Sequence, residues 1–360
     1  MTIKCFIENQ TKIQAKLLQF LDTDDDIEEK YSNLFNFIKD QGITKDNHNL
    51  RLFLYLIGKI AKNHYRSQNF NYKLAKVFQN IRKEIKQFFS NFEIFSFFKN
   101  NKLIIQILVD NNTIQIDQQI QCVMLKDKYI KSKYPEYFYL QKEDLPNDEF
   151  RKKRLIGVND LLICELIRDD KIEEFIDYVT KTKFPLNSII KISIFETNQL
   201  LLKKEPTLIE YCAFYGSINI LKFLFDNAVK CTPSLWKYAI HGNNKQILDI
   251  LIEKEIKPND ESYEKCFEES IKCHNIDITN YIQANLISEK DEANNIKKCY
   301  NRNSYYYCLR YHNYMHIPSN VNNKFIFFYF CEFDYYKLVE YFVKTKKIDI
   351  NSTVVKEKHF

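Results

Sequence analysis

The chain has 360 residues, 45% of them hydrophobic and 28% charged, so it can build a core and is not disordered by composition. Fifty-three Lys and Arg against 47 Asp and Glu leave a net charge of +6, too weak and too dispersed for the concentrated basic face of a nucleic-acid binder. Five Gly and seven Pro exclude phosphate-cradling nucleotide loops and the many tight turns of a β-sandwich or barrel, which leaves an all-α fold.

In chain order, Met1 to Phe20 is interrupted by Lys4, Glu8, Asn9, Lys12 and Lys16 and is not a secretory signal. The acidic run Asp22 to Glu29 has part of the spacing of a calcium loop, but Ile27 and Asn33 stand where Gly and Glu are required. An acidic helix start is the better reading. Leu34, Phe35, Phe37 and Ile38 have helical spacing, as do Leu52, Leu54, Tyr55 and Ile57, and Ile104, Ile105, Leu108 and Val109. Residues 1–145 are therefore expected to form an N-terminal helical domain, closed by the loss of period around Pro135 to Pro146.

From 155 to 290 a self-similar unit emerges: a short helix, a tight polar turn, and a second helix with apolar pairs. Its clearest copy runs from Thr207 to Val229, with Leu208, Ile209, Cys212 and Ala213, then Gly216, then Ile220, Leu221, Leu224 and Phe225. A second has Leu235, Trp236, Ala239 and Ile240, a turn at Asn243 and Asn244, then Ile247, Leu248, Leu251 and Ile252. A third has Phe267, Ser270 and Ile271, then His274 and Asn275, then Ile278, Tyr281 and Ile282. A weaker copy, with Ile163, Leu166, Ile167, Asp170, Phe175 and Val179, precedes them. A last one, with Phe327, Phe330, Cys331, Asp334, Leu338, Val339, Phe342 and Val343, falls within 321–360. Small residues such as Cys212, Ala213, Ala239 and Ser270 let antiparallel helices approach, and Gly216 and Asn243 suit a left-handed turn. Thr232-Pro233 is expected to start a helix, with a capping hydroxyl and proline at the first position. Residues 291–320 read as a Tyr-rich insert; the 60 residues from Ile278 to Leu338 fit two units, or one unit with an insert.

The ten cysteines have no framework spacing, and no apolar run is long enough to span a bilayer. An intracellular reducing setting, cytoplasmic or nuclear, with free and mostly buried thiols is expected, without membrane insertion. Cys299, Cys308, His312 and His316 form the most suggestive metal pattern, since the histidines fall one turn apart if Tyr305 to Met315 is helical. The nine-residue step between the cysteines departs from compact zinc modules, and no metal or other cofactor is assigned. Cys266, Cys273 and His274 lack an identifiable orienting carboxylate or oxyanion donor, so no catalytic role is assigned.

The unit from Thr207 to Ser217 resembles the ankyrin repeat, Thr-Pro-Leu-His-x-Ala-Ala-x-x-Gly-His followed by paired aliphatics. More narrowly, Leu208 to Tyr211, Ser234 to Asn243, Glu269 to His274, Asn63 to Ser67 and Asp127 to Ile130 are similar to a protist ankyrin-repeat family with an associated domain of unknown function. Asp349-Ile350-Asn351 looks like the opening of another unit, so the array is expected to be truncated or capped by Val354 to Phe360. Spacings of 27 residues from Ile220 to Ile247 and 31 from there to Ile278 fall short of the usual ankyrin repeat of about 33.

The resemblance implies an α-solenoid of divergent ankyrin-like helical pairs and presumed protein binding. By register with the ankyrin unit, the first helices turn outward Tyr211, Phe214, Tyr215, Tyr238, His241, Glu269, Lys272, Tyr329, Glu332 and Phe333. These are expected to contact a protein partner, or else to pack against the N-terminal domain. The expected function is a non-enzymatic interaction scaffold. The alternative is binding of single-stranded nucleic acid through the Tyr and Arg residues of 299–316, which the weak net charge disfavours.

Overall fold

The computed structural model describes residues 3–67, 69–128, 130, 148–260, 262–287, 296–317 and 326–346. Among them all regular structure is helical, apart from one isolated antiparallel bridge between Ile189 and Thr207. No helix of the described residues is long and apolar enough to cross a membrane. The expected boundary at Pro135 to Pro146 and the opening at Asp349 with its tail lie outside the described residues.

The N-terminal layer comprises α1 (Ile3–Asp22), α2 (Ile27–Asp40), a 3-10 turn (Ile43–Lys45), α3 (Asn47–Asn63), α4 (Phe70–Asn80), α5 (Arg82–Phe88), α6 (Asn91–Phe98), α7 (Lys102–Asp110) and α8 (Gln118–Lys126). The three expected periodic segments are α2, α3 and α7. The acidic run does open a helix: Glu28 and Glu29 occupy the first turn of α2, at the positive end of its dipole. Asp46, Ser90, Asn101 and Asp117 each accept a first-turn amide of the helix they precede. Polar caps thus separate helices in a chain poor in glycine. The ammonium of Lys73 is fully buried, donates to the carbonyls of Leu21 (3.0 Å) and Thr23 (2.7 Å), and pairs with Asp24 at 3.0 Å. A buried charge satisfied in this way clamps the α1–α2 loop onto α4.

The rest of the described chain is α9 (Asp148–Ile156), the pair α10 (Leu162–Arg168) and α11 (Ile172–Thr182), and the connecting α12 (Gln199–Lys203). Then come the pairs α13 (Leu208–Tyr215) with α14 (Ile218–Asp226), α15 (Leu235–His241) with α16 (Lys245–Glu253), and α17 (Glu264–Lys272) with α18 (Ile276–Asn285). Next are α19 (Ile296–Tyr311), a 3-10 turn (Tyr314–His316), α20 (Ile326–Glu332) and α21 (Tyr336–Lys346). The helices α10, α13, α15, α17, α19 and α20 form a row in which each touches the next.

Every helix in that row ends on a left-handed residue: Asp170 (φ 50°), Gly216 (77°), Asn243 (52°), His274 (57°), His312 (55°) and Asp334 (62°). Asp, Asn and His are the non-glycine residues that tolerate this region best. In five of the six turns the next amide returns to a carbonyl five residues back, as in Ser217 to Cys212 and Asn313 to Cys308. This satisfies helix-end carbonyls that would otherwise be orphaned.

The residue after the turn also ties the row together. Its side chain donates to the carbonyl three residues before the preceding left-handed turn: Ser217 Oγ to Ile167, Asn275 Nδ2 to Ile240 (2.7 Å), Asn313 Nδ2 to Ile271 (2.8 Å) and Tyr335 OH to Leu309 (2.8 Å). Asn244 departs from the pattern and accepts from Ile247 at the start of α16 instead. The segment expected as an insert therefore carries the same turn and the same bond, with a 3-10 turn in place of a second helix. Between Ile278 and Leu338 the described residues hold α19 with its 3-10 turn and α20 with the start of α21.

One expected element moves. α15 starts at Leu235, two residues after Pro233, and Thr232 does not cap it. The hydroxyls of Thr232 and Ser234 are drawn to Glu210, the acid of the capping box that Thr207 forms at the start of α13. Trp236 is core, as expected, and donates to the Ile256 carbonyl at 2.6 Å.

The N-terminal layer lies along the row rather than ahead of it. Arg66 reaches Thr197 beside α12, Gln14 reaches Asn313 and His274, and Lys337 of α21 pairs with Asp46 at 3.1 Å. The core of α1 to α8 continues through Tyr314, Phe330, Tyr335 and Leu338, while a second core fills the pairs from Ile163 to Ile282.

Candidate functional site

Of the ten residues expected on an outward face, Tyr211, Phe214, Tyr238 and His241 are buried, which corrects their assignment to a free surface. The chain's own elements occupy that side. Tyr211 OH accepts a hydrogen bond from Arg168 at 3.2 Å. Phe214, half-buried Tyr215 and His241 line a cavity of about 450 Å³ whose opposite wall includes Tyr65, Arg66 and Ser67.

Glu269 and Lys272 belong to an ionic node. The ring Nε2 of His241 donates to Glu269 Oε1 at 2.5 Å, Lys272 lies 2.6 Å from the same oxygen, and Lys237 lies 4.0 Å away. Burial alone would raise the Glu269 carboxyl, but the His241 bond and the two lysines hold it well below the usual carboxylate range. Ligand atoms of His241, Glu269 and Cys273 all lie within 4.8 Å of one another, close enough for a metal. The donor set opposes one. His241 and Lys272 already engage Glu269, Lys237 stands beside it, and the Cys273 thiol is buried. This node fastens α15 to α17.

The remaining three expected residues form an aromatic face at the far end of the row. Tyr329 and Phe333 are partly exposed and Glu332 is exposed. Tyr329 and Phe333 meet Tyr306 of α19 edge-on at 5.3 and 5.4 Å. The exposed Arg310 lies 5.7 Å from the Tyr306 ring and 5.5 Å from that of Tyr311. Of the residues that ankyrin register turns outward, Glu332 is exposed and Tyr329 and Phe333 partly so; Tyr306 and Arg310 join them from α19, in the segment expected as an insert.

The other constellations come apart. α19 stops at Tyr311, so His312 takes the left-handed turn and His316 falls on the 3-10 turn; the two do not share a helical face. Cys308 is buried in the core, and the Cys299 side chain lies outside the described residues. His312 Nδ1 instead lies 2.9 Å from Tyr314 OH and 3.2 Å from Tyr335 OH. Tyr305 and Tyr314 are buried and cannot stack on bases. Burial raises the thiols of Cys266 and Cys273, and His274 Nδ1 meets Gln14 at 2.9 Å rather than a cysteine. Set against family models, curated proteins and solved structures, the chain matches none of them.

Proposed function

We propose that the chain is a non-enzymatic scaffold of divergent ankyrin-like helical pairs that holds another protein on the far end of its first-helix row. The carrying observation is the aromatic face of Tyr306, Tyr329 and Phe333 beside the exposed Arg310 and Glu332. Aromatic and Arg side chains dominate binding energy at protein interfaces, and rings locked edge to face lose little entropy when a partner docks. The regular turns and inter-pair bonds support the ankyrin-like reading, because the pairs from Ile163 to Ile282 stack into one shared core, as repeat units do.

The test replaces Phe333 with a photo-crosslinking benzoylphenylalanine, and Ile252, which is exposed on α16, with the same group as control. A discrete protein adduct from position 333 that survives nuclease and high salt, and is weak from position 252, is expected. An adduct lost to nuclease and salt would move the reading to nucleic acid. Equal adducts from both positions would remove the aromatic face as the docking site.

A further inference from the structure

We propose that the cavity between the segment after α3 and the starting end of the first-helix row binds a small organic anion, a carboxylate or phosphate carried on a planar ring. At about 450 Å³ it falls in the size range of small-molecule sites. Two guanidinium groups converge on it from different parts of the chain, Arg66 after α3 and Arg168 at the end of α10. Both are held by neutral partners. Arg66 donates to Thr197 Oγ1 at 2.6 Å and to the Thr197 carbonyl at 3.2 Å; Arg168 donates to the Asn159 carbonyl at 2.6 Å and to Tyr211 OH at 3.2 Å.

Neither guanidinium forms an ion pair with a carboxylate among the described residues. Glu196, the acid whose field reaches Arg66, is fully buried and already accepts the amides of Asn159, Thr197 and Asn198. Asp169, also in the lining, is paired with Lys171 at 3.0 Å. The cavity therefore carries cationic charge that nearby acids only partly offset.

Two lining groups also lack partners. The Nε–H of Arg66 is buried with no acceptor, and Asn71 Oδ1 is buried with no donor. The Asn71 amide nitrogen is already spent on the carbonyls of Leu155 (3.2 Å) and Ile156 (2.8 Å), which fixes the orientation of the group. The rings of Tyr65, Phe214 and Tyr215 supply apolar walls for a planar body, and the Arg168 guanidinium sits 5.9 Å from the Tyr215 ring.

The test is titration calorimetry of the full chain with AMP, adenosine, 4-hydroxybenzoate and 4-hydroxybenzamide, with inorganic phosphate as a further probe. One charged ring probe is expected to bind at least about tenfold more tightly than its neutral counterpart, and which one does so separates phosphate from carboxylate. Arg66→Met, which keeps the apolar stem, is expected to weaken that probe by about tenfold or more while leaving the circular dichroism spectrum unchanged. Equal binding of charged and neutral probes, or none with Kd below about 1 mM, overturns the proposal without reliance on any variant. Inorganic phosphate binding as well as AMP would overturn the ring-bearing class.

Discussion

A single carbon atom decides the packing at Gly242. Its backbone is ordinary, with φ −75°, so no strained conformation calls for glycine there. A Cβ would instead lie 2.4 Å from the Phe214 carbonyl oxygen and 2.9 Å from that of Ala213. Backbone of a packed helix cannot yield as a side chain can. Gly242→Ala is expected to destabilise the fold by about 1–3 kcal/mol, read as a lower urea midpoint. An unchanged midpoint would mean that α15 and α13 are not held this closely. Gly216 differs, since it combines φ 77° with a Cβ position 2.7 Å from Asn244 Nδ2, a side-chain atom that can move. The turn role of Gly216 was legible in the sequence because positive φ is a local property. That of Gly242 was not, because its reason lies in another helix.

Between elements, the bonds from each turn to the preceding helix set the stacking register. Asn275→Ala would remove the side-chain donor that the Ile240 carbonyl holds besides the Asn243 amide, at a cost of about 0.5–1.5 kcal/mol. Asn313→Ala should cost more, because Asn313 also accepts from Gln14 of α1 at 2.9 Å. Asn244→Ala removes only the cap of α16, about 1 kcal/mol. Urea denaturation is expected to rank the losses Asn313→Ala, then Asn275→Ala, then Asn244→Ala, and a reversed order would refute the structural role of these bonds. The pairs themselves were readable from apolar doublets and small residues at helical spacing. The pair opened by α19 was not, because its second helix is reduced to the turn at Tyr314–His316 and offers no apolar period.

At the scale of the whole molecule, the seam between the N-terminal layer and the row holds the buried His64, His274 and His312, with His316 half-buried beside them. Burial, with Lys59 nearby, pushes His312 down to about 3, and burial pushes His316 down to about 4; His274, buried among His64, His312 and His316, also lies well below its ordinary value. The unfolded chain takes up these protons near pH 6.5 while the folded chain refuses them, so stability is full above that pH and falls as pH drops below it. At pH 5 the loss is about 2 kcal/mol for each such histidine. The urea midpoint is expected to fall between pH 7.5 and pH 5, and His312→Phe should shrink that fall; a midpoint that does not change with pH would contradict the burial of neutral rings. Sequence alone determined that this chain is helical, where its helices pair outside the α19 segment and which side chains share a face, because spacing, caps and left-handed turns are local. It did not determine what each face lies against. Tyr211, Tyr238 and His241 present the same periodic signal whether they meet a partner or other elements of the chain. Only the tertiary structure decided that they are buried, and that Arg66 and Arg168, far apart in the chain, share one cavity. Periodicity reports direction around a helix axis, and burial depends on what long-range packing sets against it.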